Sequence, residues 1–430
     1  MKLTSSAPDT AVDPGSVNLL DSRFYAEGDP HALWARLRRD QPLHQQPALN
    51  GREAFWAVTR HADVCRVLRS HQEFTSRRGT MLCIVDLNMP DIAAGQMMPD
   101  TDPPEHTRLR EPLNRALGMR SVQAREAQFR KIALDLLEPA LDGEVFDLGQ
   151  AALMFPMAFA GTLMGIPSEV WAHTARLTTM TIAYDDPDYQ QGTPLDTLRQ
   201  AHHELFAVFH EELKRRDRSD PGDDLIGVLM SMRFEGEPLT DEQILFNCYS
   251  LLLGANVTTP HTTSGTVLAL AEHPDQYARL ARDPALINTC VEEGLRWTSP
   301  ASHFMRYAVS DIELHGQLIR AGEPVTAWLG SANRDDAVFP DPYTFDVART
   351  PNRHVAFGYG PHFCIGAGLA RVALRLFVSE LASRVEGIEP AGTVDHLVSS
   401  FVAGFKRMPV RLTARPAALP LPGTLAAEAR

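Results

Sequence analysis

Apolar positions along this 430-residue chain recur mostly at helical spacing, with one stretch near the C-terminal third that alternates instead. Residues 24–50 read as helical, with Leu33 and Leu37 on one face and Arg36, Arg38 and Arg39 on others. Ala54-Phe55-Trp56-Ala57-Val58 reads as a short strand, and His61-Ala62-Asp63 opens another helix. Between 80 and 104 the period is lost: Met, Asp, Pro and Gly mix, with Pro90 and Met97-Met98 among them. Long aperiodic stretches inside compact chains tend to be functional loops. Helical character resumes over 108–117 and dominates 120–290, with stops at Gly143, Pro167, Pro187 and Pro221-Gly222. Residues 306–330 alternate as strands do, in Tyr307-Ala308-Val309 and Asp311-Ile312-Glu313-Leu314, with a turn at His315-Gly316. Pro340, Pro342 and Pro351 predict coil over 335–352, and Pro409-Val410-Arg411-Leu412 predicts a final strand. The expected class is mainly α with a small β portion.

Composition narrows the function. Hydrophobic content of 44% and charged content of 22% suit a globular protein able to enclose a large cofactor. The formal charge of −13, with no basic cluster interleaved with aromatics, argues against nucleic-acid binding. Cys65, Cys83, Cys248, Cys290 and Cys364 are scattered, odd in number and lack C-x-x-C spacing, so neither a disulfide framework nor a cysteine-rich metal site is expected. A reducing cytoplasm is the natural setting. The first fourteen residues are polar, and the most apolar stretch, 244–255, is too short to span a bilayer. No membrane attachment is expected. One domain over 1–415 is expected, followed by a loose tail over 416–430.

The most informative run is Phe357-Gly358-Tyr359-Gly360-Pro361-His362-Phe363-Cys364-Ile365-Gly366. A lone cysteine is most often a buried, inert residue. This one lies in a glycine-spaced loop with an aromatic seven residues before it and a helical pattern (Leu369, Val372, Leu376, Phe377) after it. Glycines let the backbone lie flat against a planar cofactor, and loop N–H groups can tune the charge on a thiolate. The setting suits an axial sulfur ligand to haem iron.

The F-G-x-G-x-H-x-C-x-G pattern resembles the haem-binding signature of the cytochrome P450 family. The resemblance implies the fold of that family, with haem between a long central helix and the Cys364 loop and its helix. It implies Cys364 as the iron ligand, with Phe357, Gly358 and Gly366 against the cofactor. Other segments match in family order. Glu293-Gly294-Leu295-Arg296 is an E-x-x-R pair; alone it is weak, but here it implies a buried pair supporting the loop. The family often adds an arginine in P-x-R-F; this chain has Thr344 there, which leaves Arg349 and Arg334 as possible replacements. Asp102-Pro103-Pro104 followed by His106 and Arg110 resembles the propionate-binding helix, because i and i+4 place two donors on one face. Arg306 and His362 fall at positions serving the same end, with His354 a weaker candidate.

Leu251-Leu252-Leu253-Gly254-Ala255-Asn256-Val257-Thr258-Thr259 resembles the central helix over the oxygen-binding face. Gly254 and Ala255 leave room there, and Thr258 matches the threonine that donates a hydrogen bond to bound dioxygen. Thr259 could instead be bonded back to a carbonyl. The family usually has Asp or Glu before this threonine; Val257 cannot carry a proton. Delivery is then expected through Thr258, Asn256, water or the substrate.

The resemblance implies reductive activation of dioxygen (O2) at haem b, with electrons from NAD(P)H through a separate ferredoxin and ferredoxin reductase. Arg371 and Arg375 could form a docking patch for the ferredoxin, or merely a solvated helix face. A monomer is expected. Three readings follow: a monooxygenase on a small specialised metabolite of the antibiotic type; a coupling or cyclising oxidase forming a C–N, C–C or C–O bond, for example on a peptidic or indolic substrate; or a non-catalytic haem sensor. The substrate pocket is expected from the 80–99 loop, Leu253, Asn256, Val257, Ser302, His303, Phe304, Phe401 and Val402. Asp86, Asn88, Asp91 and His303 would be its polar handles.

Overall fold

Helix signals are strong where the chain is longest and most periodic. The computed structural model describes residues 12–48, 53–82, 91–234 and 236–416. The 21-residue helix Pro194–Lys214 starts on a capping box, in which Thr193 and Asp196 each bond the other's backbone N–H. The central helix Asp241–Asn256 starts the same way, on Thr240 and Gln243. It stops at Val257, and a second helix, Thr259–Glu272, continues beyond. Pro260 explains the interruption: it has no N–H for the Asn256 carbonyl, and its ring crowds that turn. The long helix expected over the oxygen face is therefore two helices with a break at Val257 and Thr258.

Most helices pack into one apolar core that includes Phe129, Phe155, Phe209, Leu270, Trp297 and Phe377. Fully burying side chains of this size contributes about 1.5–3 kcal/mol each. The Ile287–Thr298 helix presents Cys290, Val291 and Leu295 to it and ends at Ser299, whose φ of 41° turns the chain sharply. The Ala367–Arg384 helix packs its Val372, Leu376 and Phe377 face inward.

The β portion is a five-stranded sheet in the order Leu43–Gln46, Phe55–Val58, Pro324–Trp328, His303–Ala308, Phe74–Thr75. All neighbours are antiparallel except Pro324–Trp328 with Phe55–Val58, where Val325 faces Trp56 in parallel register. The hairpin of Ile312–Leu314 and Gln317–Ile319 turns at His315 and Gly316, both left-handed, as the alternation predicts. The helical reading of 24–50 holds for Ser22–Glu27 and Pro30–Asp40 only. Leu43–Gln46 is a strand because Leu43, His44 and Gln46 become buried by pairing with Phe55–Val58. Tertiary pairing overrides a local preference there. The 335–352 segment contains no helix or strand, and Pro409–Ala414 is a strand between Val385–Pro390 and Val145–Asp147. Among the described residues no helix is long and apolar enough to cross a membrane. Of the expected tail, residues 417–430 lie outside the described residues, as does Cys83.

Candidate active site

The glycine-spaced loop folds back on itself just before the Ala367–Arg384 helix. Gly358 and Gly360 both take left-handed φ, and a Cβ on Gly360 would sit 2.6 Å from the Arg69 Cα. No other residue fits that approach. The Cys364 N–H donates to the Phe357 carbonyl at 2.8 Å, which closes the loop with the sulfur turned into a large cavity. Burial pushes the Cys364 thiol up, while the Gly366 N–H and the guanidiniums of Arg110 and Arg371 act in the opposite direction. Arg371 lies 4.6 Å over the Phe357 ring and holds Glu292 by two bonds, at 2.7 and 2.8 Å. The Arg371 thought available for docking is thus engaged with Glu292, and Arg375 lies 3.7 Å from Glu126.

Two guanidiniums and two imidazoles meet on the same cavity. His106 and Arg110 come from the Glu105–Ala116 helix, Arg306 from the His303–Ala308 strand, and His362 from the loop. The His106 and His362 rings are 4.0 Å apart. Arg110 donates to the carbonyls of Phe363 and Pro361, and Arg306, only 3% exposed, donates to the Met305 carbonyl at 2.7 Å. The buried His106 Nε2 has no protein partner. Burial and the neighbouring cations push His106 down to about 4 and His362 lower still. Burial likewise takes Arg306 down to about 10, with Asp102 and Asp100 opposing.

No carboxylate lies among the described residues lining this cavity. Four crowded donors without a lining counter-charge, one of them an orphaned imidazole nitrogen, suit a ligand that brings its own carboxylates. Among the described residues no cluster of His, Cys, Asp and Glu could hold a bare metal ion. A cysteine sulfur beside a set of carboxylate receptors therefore fits haem, whose iron Cys364 would hold and whose propionates His106, Arg110, Arg306 and His362 would receive. His354 does not join that set. Its Nε2 is 3.0 Å from Glu292, outside the cavity lining, so it belongs to the Glu292–Arg371 clamp. Burial alone would raise the Glu292 carboxyl, but hydrogen bonds from Arg371 and His354 bring it down to about 2.

The opposite wall is apolar. The cavity encloses about 1980 Å³ of empty space, counting its open mouth. Leu253, Val257, Phe304 and Phe401 line it, with Met81, Met97 and Met98 from the aperiodic segment. Gly254 and Ala255 also face it, and a Cβ on Gly254 would meet open space. Thr258, at the helix break, donates its hydroxyl to the Gly254 carbonyl at 3.0 Å, and Thr259 and Thr262 also line the wall.

Several expected pocket residues lie elsewhere. Asn256 is 5% exposed and turns its amide toward the Met157 sulfur at 3.0 Å, so it offers the cavity nothing. His303 is fully buried against Trp328, ring centroids 4.5 Å apart, because it alternates with Phe304 and Arg306 along the strand. Ser302 donates its N–H to Phe401 and Val402 donates its own to Ser399; neither lines the cavity. Asp91 accepts from the Ala93 N–H and stays outside the lining. Asp86 and Asn88 lie outside the described residues. Sequence reasoning missed Tyr249, Ser250 and Thr262, whose only signal is their place beside the central segment already singled out.

Behind the loop, Glu293 and Arg296 are fully buried and joined by bonds of 2.7 and 2.8 Å. Arg349 donates to Glu293 at 3.1 Å, Asn352 does so at 3.1 Å, and the Asp346 N–H at 3.0 Å. Arg349, rather than Arg334, thus supplies the arginine that Thr344 lacks. Arg334 instead donates to the carbonyls of Arg296 and Trp297. Arg296 donates to the carbonyls of Asn333, Pro342 and Thr344, and Arg349 to those of Pro340, Asp341 and Thr344.

Comparison with known proteins places the chain among relatives of one family. The profile of the family described as Cytochrome P450 matches residues 184–386. Cytochrome P450 NovI of Streptomyces niveus is 33% identical over 398 residues, covering 92% of this chain and 96% of its own. Linalool 8-monooxygenase of Pseudomonas putida is 32% identical over 403 residues, covering 92% and 98%. Among solved structures, P450 OxyD, involved in the biosynthesis of vancomycin-type antibiotics, superposes with a TM-score of 0.83 at 34% identity, over 93% of this chain and all of its own. Mycobacterium marinum cytochrome P450 CYP268A2 in complex with pseudoionone gives 0.85 at 32%, with the same coverage.

Proposed function

The chain belongs to the cytochrome P450 family of oxidoreductases, and on that footing we propose that it is a haem-thiolate monooxygenase for a small, neutral, largely apolar specialised metabolite. The observation carrying the reading is one cavity lined by Cys364, two arginines and two histidines on one side and by mainly apolar side chains on the other. Cys364 would hold the haem iron, and His106, Arg110, Arg306 and His362 the propionates. When bound, the haem supplies reductive activation of dioxygen, which thiolate donation favours. Electrons would come from NAD(P)H through a ferredoxin and its reductase.

The remaining chemistry belongs to the wall around Thr258. Gly254 and Ala255 keep it open, and the Thr258 hydroxyl, tied to the Gly254 carbonyl, holds a proton at Oγ1 on its rim. Val257 carries none, and Asn256 points away. Proton supply would run through Thr258, Thr259, Thr262 and water, or from the substrate itself. Relatives carry names from linalool oxidation and antibiotic biosynthesis. Among the described residues the wall has no carboxylate, with Asp91 and His303 withdrawn from it, which favours neutral substrates with few polar groups over charged peptides.

That missing acid also favours a second reading, ring closure or coupling without net oxygen insertion, where a substrate O–H or N–H serves as proton source. Turnover under labelled dioxygen separates the two. Product carrying the label is expected for the monooxygenase, and dehydrogenated, unlabelled product would establish the second.

A further inference from the structure

Asparagine is a poor residue for the middle of an apolar helix, because its amide competes for backbone groups and is costly to bury unpaired. Asn247 nonetheless sits in the Asp241–Asn256 helix between Phe246 and Cys248, at 1% exposure. It is not a member of the cavity wall. Its Oδ1 accepts from the Met98 N–H at 2.9 Å. Its Nδ2 donates to the Gln96 carbonyl at 3.0 Å and to the Gln243 carbonyl at 2.7 Å. One side chain thereby grips both backbone neighbours of Met97, and both Met97 and Met98 line the cavity.

The segment it grips is held together locally. Met97 N–H donates to Ala93, Gly95 N–H to Asp100, and the Thr101 hydroxyl to the Met98 carbonyl. At its far end the Thr80 hydroxyl donates to Asp100 at 3.0 Å. These bonds shape the turn but do not tie it to the central helix; Asn247 does.

We propose that Asn247 is a positioning residue that fixes the Met97–Met98 wall over the cavity and so sets which substrates fit. This rests on the monooxygenase reading for the word substrate, but the mechanical part does not. The test is Asn247→Ala, with Asn247→Asp retaining the acceptor for Met98 and losing both donors. Amide hydrogen exchange over 93–98, measured with and without haem, should quicken by about tenfold or more in the Ala variant, with Asp between it and the parent. Two iron-coordinating probes of different size, imidazole and 4-phenylimidazole, then report on the wall through their Soret shifts. Affinity for 4-phenylimidazole should fall about tenfold, while that for imidazole stays within about twofold.

Unchanged exchange over 93–98 in either variant overturns the proposal. So does acceleration spread evenly over the chain, or equal weakening of both probes, since each would mean a merely structural role. If the parent protein forms no thiolate-type complex with carbon monoxide, the haem reading fails instead. The exchange result on haem-free protein still decides whether Asn247 holds the wall.

Discussion

On the cysteine side of the cavity, Arg110, Arg306 and His362 are held by specific bonds, and the backbone has no latitude at Gly360. On the opposite wall no described residue carries an acid, and methionines and phenylalanines meet across a broken helix. The first side is defined by charge and sulfur, groups whose misplacement costs several kcal/mol. The second is defined by shape, and apolar walls tolerate exchange of similar volume. One side is fitted to a cofactor of fixed structure, and the other can be retuned for different substrates.

Breaking the rigid side should have the largest effect. Cys364→Ser should abolish the thiolate-type Soret band of the reduced carbon monoxide complex and lower turnover by more than about a thousandfold. Retention of that band would show that another residue binds the iron. Glu293→Gln leaves Arg296 and Arg349 buried without their carboxylate, and should cost about 3–5 kcal/mol in denaturant unfolding. A loss below about 1 kcal/mol would mean that the surrounding carbonyls suffice.

The apolar side should respond more mildly. Thr258→Ala should leave folding and haem content alone while product per reductant consumed falls about tenfold. Unchanged coupling would remove Thr258 from the proton route. An effect spread over several pH units is a slope from His261, on the Thr259–Glu272 helix behind the break. Burial pushes this imidazole down to about 3, and its Nδ1 accepts from the Phe405 N–H. The unfolded chain then takes the proton first, near the ordinary histidine value of about 6.5. Stability should be full above that pH and fall as pH drops toward about 3, by up to about 1.4 kcal/mol per pH unit. His261→Asn should lessen that slope, and His303, likewise pushed down to about 3 by burial, should keep part of it.

The same contrast governs what could be read from the amino acids. Cys364, its glycines and the His106–Arg110 spacing are local patterns, so chemistry and order along the chain suffice to single them out. The apolar wall is assembled from distant segments, and orientation decides membership. Ser302, His303 and Phe304 are consecutive, but alternation on the strand sends only Phe304 to the cavity. Asn256 adjoins Val257, yet the helix turns it toward Met157. The break follows from Pro260, which the expectation of one continuous helix passed over. The choice between Arg349 and Arg334 was not legible, because it depends on how 335–352 winds without regular structure.

That winding has its own cause. Arg296 and Arg349 share a single buried carboxylate, Glu293, and their remaining donors are met by backbone carbonyls, those of Pro340, Asp341, Pro342 and Thr344 within the coil and that of Asn333 just before it. The coil serves as a collective counter-ion, and its path is dictated by where those dipoles must point. Residues in such a segment should resist insertion and deletion as core helices do, although nothing in their secondary structure would mark them as core.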